Sequence, residues 1–192
     1  MKEFKGQVGK GQDYIGLYAV SEANQTDEWR FSYIVMTQPN YGNEFTDFRV
    51  PPQTVLQHDV GTYTPTTIPG AKVITTSDLN AAMQLGSLDG SAFLLVDVLD
   101  DTHPKTMRGA KRIPNRNGYA GNFDDDAQQS LRAQLTTLTK NNLNMPIVFF
   151  CKGVQCWESY NAALRAEKMG FARVYWYRGG LAAWMEAELP TN

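Results

Sequence analysis

The sequence predicts an α/β protein, a parallel sheet covered by helices on both faces and preceded by a β-rich N-terminal extension. Three observations carry this. From residue 72 onward, short apolar runs bounded by turn residues alternate with stretches of helical periodicity. The runs are apolar at nearly every position, as strands buried on both faces are. Before residue 72 the helical pattern is missing, and aromatic or β-branched segments are separated by polar, Gly- or Pro-containing stretches.

Taken in order, residues 13–20, 29–36 and 45–50 read as strands of the extension. Residues 51–70 hold four prolines and almost no helical period, which predicts an extended connector laid over a neighbouring surface. The extension and connector occupy residues 1–71 and the α/β domain residues 72–192. Thr76 or Ser77 can cap a short helix running to Leu85, because a side-chain oxygen there accepts from first-turn amides. Residues 93–98 (FLLVDV) form a buried parallel strand. Asp124, Asp125 and Asp126 place negative charge at a helix start, and Leu131, Leu135 and Leu138 recur on one face of that helix. Residues 146–151 (PIVFFC) are a second buried strand. Tyr160, Ala163 and Leu164 give the next helix an apolar face, and Gly170 can end it. Residues 174–177 make a third strand, and Gly179 and Gly180 break the chain before a last helix containing Trp184.

Composition narrows the function. At 192 residues, 42% hydrophobic and 20% charged, the chain suits one domain with an appendage and can bury a sizeable core. A net charge of −2 gives no basic field for phosphate backbones and argues against a nucleic-acid partner. Two cysteines are too few for a disulfide scaffold, and His58 and His103 do not complete a zinc spacing with them. No apolar run approaches the roughly 20 residues that span a bilayer. The first residues, Met-Lys-Glu-Phe-Lys, lack the apolar stretch of a secretion signal, so the chain is expected either to be cytosolic or to have lost a signal.

The most informative stretch is residues 146–163, PIVFFCKGVQCWESYNAA. A buried strand ends at Cys151, a five-residue loop follows, and a helix starts near Trp157. Amides of such a loop, together with the helix dipole, favour an anion and would lower the pKa of a thiol among them. Cys151 is thereby placed as a thiolate nucleophile; spacing alone equally allows a buried, inert cysteine ending a strand.

These motifs resemble the rhodanese-like domain family over residues 72–190. ITTSDLNAAM resembles its entry strand and first helix, FLLVDV its LIDVR-type strand, MRGAKRIP its HIPGAxxIP segment, and VYWYRGGLAAW its closing GG-x-x-x-W element. The resemblance implies a sulfurtransferase holding sulfur as a persulfide on Cys151, fed by a small anionic donor such as thiosulfate and emptied by a thiol acceptor, with room for a protein partner. It implies a substrate loop of Lys152, Gly153, Val154, Gln155, Cys156 and Trp157, supported by Asp97 and Arg108, and neither cofactor nor metal. Loop amides from Lys152 to Cys156 would hold the sulfur anion, and Gly153 would permit tight curvature. The family loop commonly reads C-x-x-G-x-R-S; here glycine comes one place early and cysteine replaces arginine. The Cys-Trp pair and the following Ser159, Asn161, Ala162 and Ala163 resemble a subgroup associated with pyrroloquinoline-quinone-dependent catabolism, typically exported, which implies a periplasmic protein.

Alternatives remain open at several residues. Trp157 stands where a cysteine phosphatase needs arginine, which disfavours that chemistry. Four residues separate the cysteines, too many for a thioredoxin-type pair. Cys156 is a resolving thiol or, the favoured reading, a small packing residue at the helix start. Lys152 can hold an anionic donor or be solvated; Arg108, Lys111, Arg112 and Arg116 border an anion pocket or form a solvated face. Asp97 requires a hydrogen-bond partner at the end of its apolar run. His103 is read as a bystander, and the tryptophans as packing residues.

Overall fold

The computed structural model of the protein describes residues 3–4, 17–23, 29–33, 39–58, 61–99, 103–113 and 120–192. The chain divides into two compact units, Met1–Pro39 and Asn40–Asn192. Residues 40–71, which the sequence grouped with the extension, thus belong to the unit that holds the parallel sheet. In the first unit, β1 (Glu3–Phe4), β2 (Leu17–Ala23) and β3 (Trp29–Tyr33) pair antiparallel in the order β1-β2-β3. The rest of the strands expected over residues 13–20 and 29–36, at 13–16 and 34–36, lies outside the described residues.

The second unit is built on β4 (Lys72–Val73), β5 (Leu94–Asp97), β6 (Lys111–Arg112), β7 (Ile147–Phe150) and β8 (Val174–Trp176). They pair in parallel in the order β4-β8-β7-β5-β6. Between them run α1 (Thr76–Leu85), α2 (Asp126–Thr139) and α3 (Trp157–Lys168), and α4 (Gly180–Glu186) follows β8. Thr75, one residue earlier than expected, caps α1 by accepting from the Asp78 amide, and Asp125 caps α2 by accepting from Gln128.

Alternate strand residues feed two cores, as a period of two requires. Leu94, Val96, Ile147, Phe149 and Trp176 face Leu131, Leu135, Tyr160 and Ala163 of α2 and α3. Leu95, Val148, Phe150 and Tyr177 face Leu79, Ala82, Leu181 and Trp184 around α1 and α4. Burying each large aliphatic side chain stabilises by about 1.5–3 kcal/mol. On the first face, Arg165 is wholly buried on α3 and pairs in a fork with Asp125 at 2.8 and 2.9 Å, joining the two helices. That guanidinium holds the Asp125 carboxyl down to about 2.

The strand expected over residues 45–50 does not form. Local side chains take the backbone donors instead: Asn40 Oδ1 accepts from the Phe45 amide, Asp47 Oδ1 from the Arg49 amide, and Arg49 itself is left-handed at φ 61°. Such side-chain bonds compete with a sheet ladder. Residues 40–58 and 61–64 become a strap with no strand among its described residues. It begins against α4, where the Gly42 amide donates to Glu186, and ends against the loop after β7.

Candidate active site

The loop after β7 is fixed through its carbonyls. Leu181 N–H donates to Cys151 O and Ala182 N–H to Lys152 O, both at 2.9 Å, while the amide and hydroxyl of Thr64 both reach Val154 O at 2.8 Å. In a trans peptide the N–H points opposite to the C=O. The amides of Lys152, Gly153 and Gln155 are therefore turned away from α4 and the strap, and among the described residues none of the three has a protein acceptor. The Cys156 amide does not join them: it donates to Gly153 O at 2.9 Å and so is not available to an anion as the sequence suggested.

Gly180 makes the close approach of α4 possible. It sits at φ 59°, and a Cβ there would lie 2.5 Å from Cys151 O and 2.7 Å from Gly153 N. Gly153 serves room more than curvature. Its φ is not positive, and a Cβ on it would press at 3.3 Å on Ala182 and on Gly179 O.

Cys151 closes the buried end of β7 with 1% exposure. Its sulfur is joined to that of Cys156 in a disulfide, across a Cα separation of 6.3 Å. Cys156 is the N-cap position of α3, without a side-chain cap bond, and is only half-buried. The favoured expectation, a packing residue at the helix start, missed this bond because sequence spacing does not reveal how far a five-residue loop folds back.

The remaining expected residues fall in different places. Lys152 and Gln155 are exposed, Gly153 and Val154 half-buried, and Trp157 buried. Trp157 packs edge-on against Tyr160 and donates its indole N–H to Thr62 of the strap. Asp97 is fully buried beside Phe150, where its carboxylate accepts from the Leu99 amide at 3.0 Å and the Thr106 hydroxyl, and contacts His103 Nε2 at 2.9 Å. It braces the loop that follows β5, and His103, read as a bystander, is its partner. Arg108, Lys111 and Arg112 are exposed, and Arg116 lies outside the described residues.

Sequence reasoning missed the group that seats the strap. The Tyr160 hydroxyl accepts from the Gln53 amide at 2.7 Å and donates to Gln53 O at 2.8 Å; the Asn161 side chain makes the same pair of bonds with Gln57, both 2.9 Å. Arg178, 1% exposed, donates to the carbonyls of Glu44 and Thr64. Burial lowers it to about 10. Burial likewise pushes the Glu44 carboxyl up to about 7, against the hydrogen bonds from Thr76 that favour its charged form. A signal was present: residues 159–166 (SYNAALRA) carry one charged residue, Arg165, so the helix lacks an evident solvent face, and in the structure every one of them is buried.

No curated protein matches the chain. Among solved structures it is similar to the rhodanese-like domain of an Anabaena sp. protein, at 21% identity over 62% of this chain and 76% of that one, TM-score 0.46. It is also similar to a Saccharomyces cerevisiae homologue of single-domain rhodanese and the Cdc25 phosphatase catalytic domain, at 18% identity over 60% and 80%, TM-score 0.46. The model of the rhodanese-like domain matches residues 40–187, strap included, and the chain belongs to that family.

Proposed function

We propose that this domain carries sulfane sulfur on Cys151 and that Cys156 resolves it. The supporting observation is a second thiol within bonding reach of the cysteine that ends the central strand. In the reduced chain the Cys151 thiolate attacks the outer sulfur of thiosulfate, forming Cys151–S–S⁻ and releasing sulfite. A thiol acceptor can then take that sulfur, or Cys156 attacks Cys151 Sγ, expelling hydrosulfide and closing the disulfide. An external dithiol reductant resets the pair. Because loop disulfides persist in oxidising compartments, the proposed setting is exported, in keeping with the periplasmic expectation. The proposed partners are a small anionic donor and a thiol acceptor. Phosphatase chemistry finds no support, since Arg165 and Arg178 are engaged elsewhere and the loop has no arginine.

A second reading, a binding module stapled by the disulfide, is favoured by the 1% exposure of Cys151. Mass spectrometry of reduced Cys156→Ser after thiosulfate treatment separates the two. Sulfur transfer predicts one added sulfur on Cys151, stable because its resolving thiol is gone. An unmodified Cys151 would leave the binding module.

A further inference from the structure

Besides its disulfide partner, the Cys151 sulfur has two polar neighbours, Ser159 Oγ at 3.0 Å and the carbonyl oxygen of Cys156 at 3.2 Å. A disulfide sulfur carries no hydrogen, so the Ser159 hydroxyl is the donor of the first contact. Its direction is set from behind. Trp176 Nε1 lies 3.0 Å from Ser159 Oγ, and an indole N–H can only donate, which leaves the hydroxyl hydrogen for the sulfur.

Ser159 is 2% exposed and Trp176 fully buried, so water does not compete for this chain of bonds. A helical serine commonly returns its hydroxyl to the carbonyl four residues back. Here it faces the strand end instead. The Cys156 carbonyl works against it, because an oxygen lone pair 3.2 Å from sulfur disfavours a thiolate there.

We infer that Ser159, oriented by Trp176, is a positioning residue that stabilises the Cys151 thiolate once the disulfide is reduced. This rests on the reading of Cys151 as the reactive sulfur. It offsets the opposing carbonyl from inside the core, independently of the loop amides. The titratable groups on neighbouring elements include, among the described residues, Lys152 in the loop, Glu158 in the first turn of α3, and Asp97 at the end of β5 with its partner His103; all stay unchanged in the test.

The test is the pH profile of iodoacetamide alkylation at Cys151 in the reduced full chain. Trypsin cuts after Lys152, so Cys151 is read in the peptide 141–152 and Cys156 separately in 153–165. Ser159→Ala should raise the Cys151 midpoint by about one unit, roughly a tenfold loss of rate below it. Ser159→Thr, which keeps a hydroxyl, should hold the midpoint near the parent value, and Trp176→Phe, which unlocks the hydroxyl without removing it, should give a smaller rise. An unchanged midpoint in Ser159→Ala with a native circular dichroism spectrum overturns the inference; if that variant does not fold, an unchanged midpoint in Trp176→Phe does so. Sulfur uptake is scored separately: a midpoint that follows Ser159 in a chain whose Cys151 gains no sulfur from thiosulfate upholds the positioning role and overturns the proposed function.

Discussion

In the sheet, Val96, Ile147, Val148 and Phe149 are entirely buried, each among the apolar side chains of one of the two cores. In the strap, the backbone of Gln53 hangs on one phenolic hydroxyl and that of Gln57 on one amide, and the carbonyls of Glu44 and Thr64 accept from one buried guanidinium. Dispersion and burial spread the sheet's stability over many small contacts, whereas the strap adds a few directional bonds to the packing of Leu56 and Val50 on the core. One removed atom can therefore loosen the strap locally and leave the sheet intact. Because Thr64 holds the loop carbonyl of Val154, that difference reaches the cysteines.

The largest effect should come from the sheet side. Leu131→Ala empties a fully buried site between α2 and the sheet, and should cost about 2–5 kcal/mol in denaturant unfolding. The strap amide of Gln53, exchanging through its own local opening, should keep its parent exchange rate while the amides of β5 and β7 accelerate with the lowered global stability. Acceleration of Gln53 by the same factor as β5 and β7 would show that the two regions are one cooperative unit.

Acidity should separate the regions next. Glu44 in the strap is raised from 4.5 to about 7, so between those values the folded chain holds a proton that the unfolded chain has released. Stability therefore falls as pH rises through that window and levels off above it. Asp125 in the sheet domain is lowered from 3.8 to about 2, so its contribution is present above about 4 and is lost as pH falls toward 2. Thermal midpoints across pH should show both slopes in the parent and only the acid one in Glu44→Gln. A persisting fall between 4.5 and 7 in that variant would assign it to another group.

Tyr160→Phe should act most locally. It deletes both bonds to Gln53 while keeping the ring against Trp157 and Trp176, at about 1–2 kcal/mol. Faster exchange at Gln53 with unchanged exchange in β5 and β7 is the expected pattern. Equal acceleration in β7 would erase the distinction between strap and sheet.

The same division governs what could be read from the sequence. The apolar runs at residues 93–98 and 146–151 specify their strands locally, since only burial on both faces tolerates so few polar residues. The loop position of Cys151 follows from the end of one such run. The strap could not be read this way: residues 45–50 have strand-like composition, yet Asn40 and Asp47 take the amides a ladder needs. Tyr160 read as part of an apolar face because its ring is apolar; its hydroxyl finds a partner 107 residues away. Ser159 and Asn161 were visible as motif positions, but their work depends on what the fold brings beside them. The Cys151–Cys156 bond depends likewise on a loop path that α4 and the strap jointly set.

Resolution by Cys156 of sulfur held on Cys151 can be followed in a single turnover. The most direct measurement follows the reduced parent chain after a single addition of thiosulfate, counting sulfide released and the tryptic peptides 141–152 and 153–165 joined by a disulfide. Resolution by Cys156 should give one sulfide for each joined pair, and Cys156→Ser should give no sulfide but a lasting added sulfur on Cys151. Joined peptides formed without sulfide, or sulfide released equally by Cys156→Ser with no other thiol present, would contradict it.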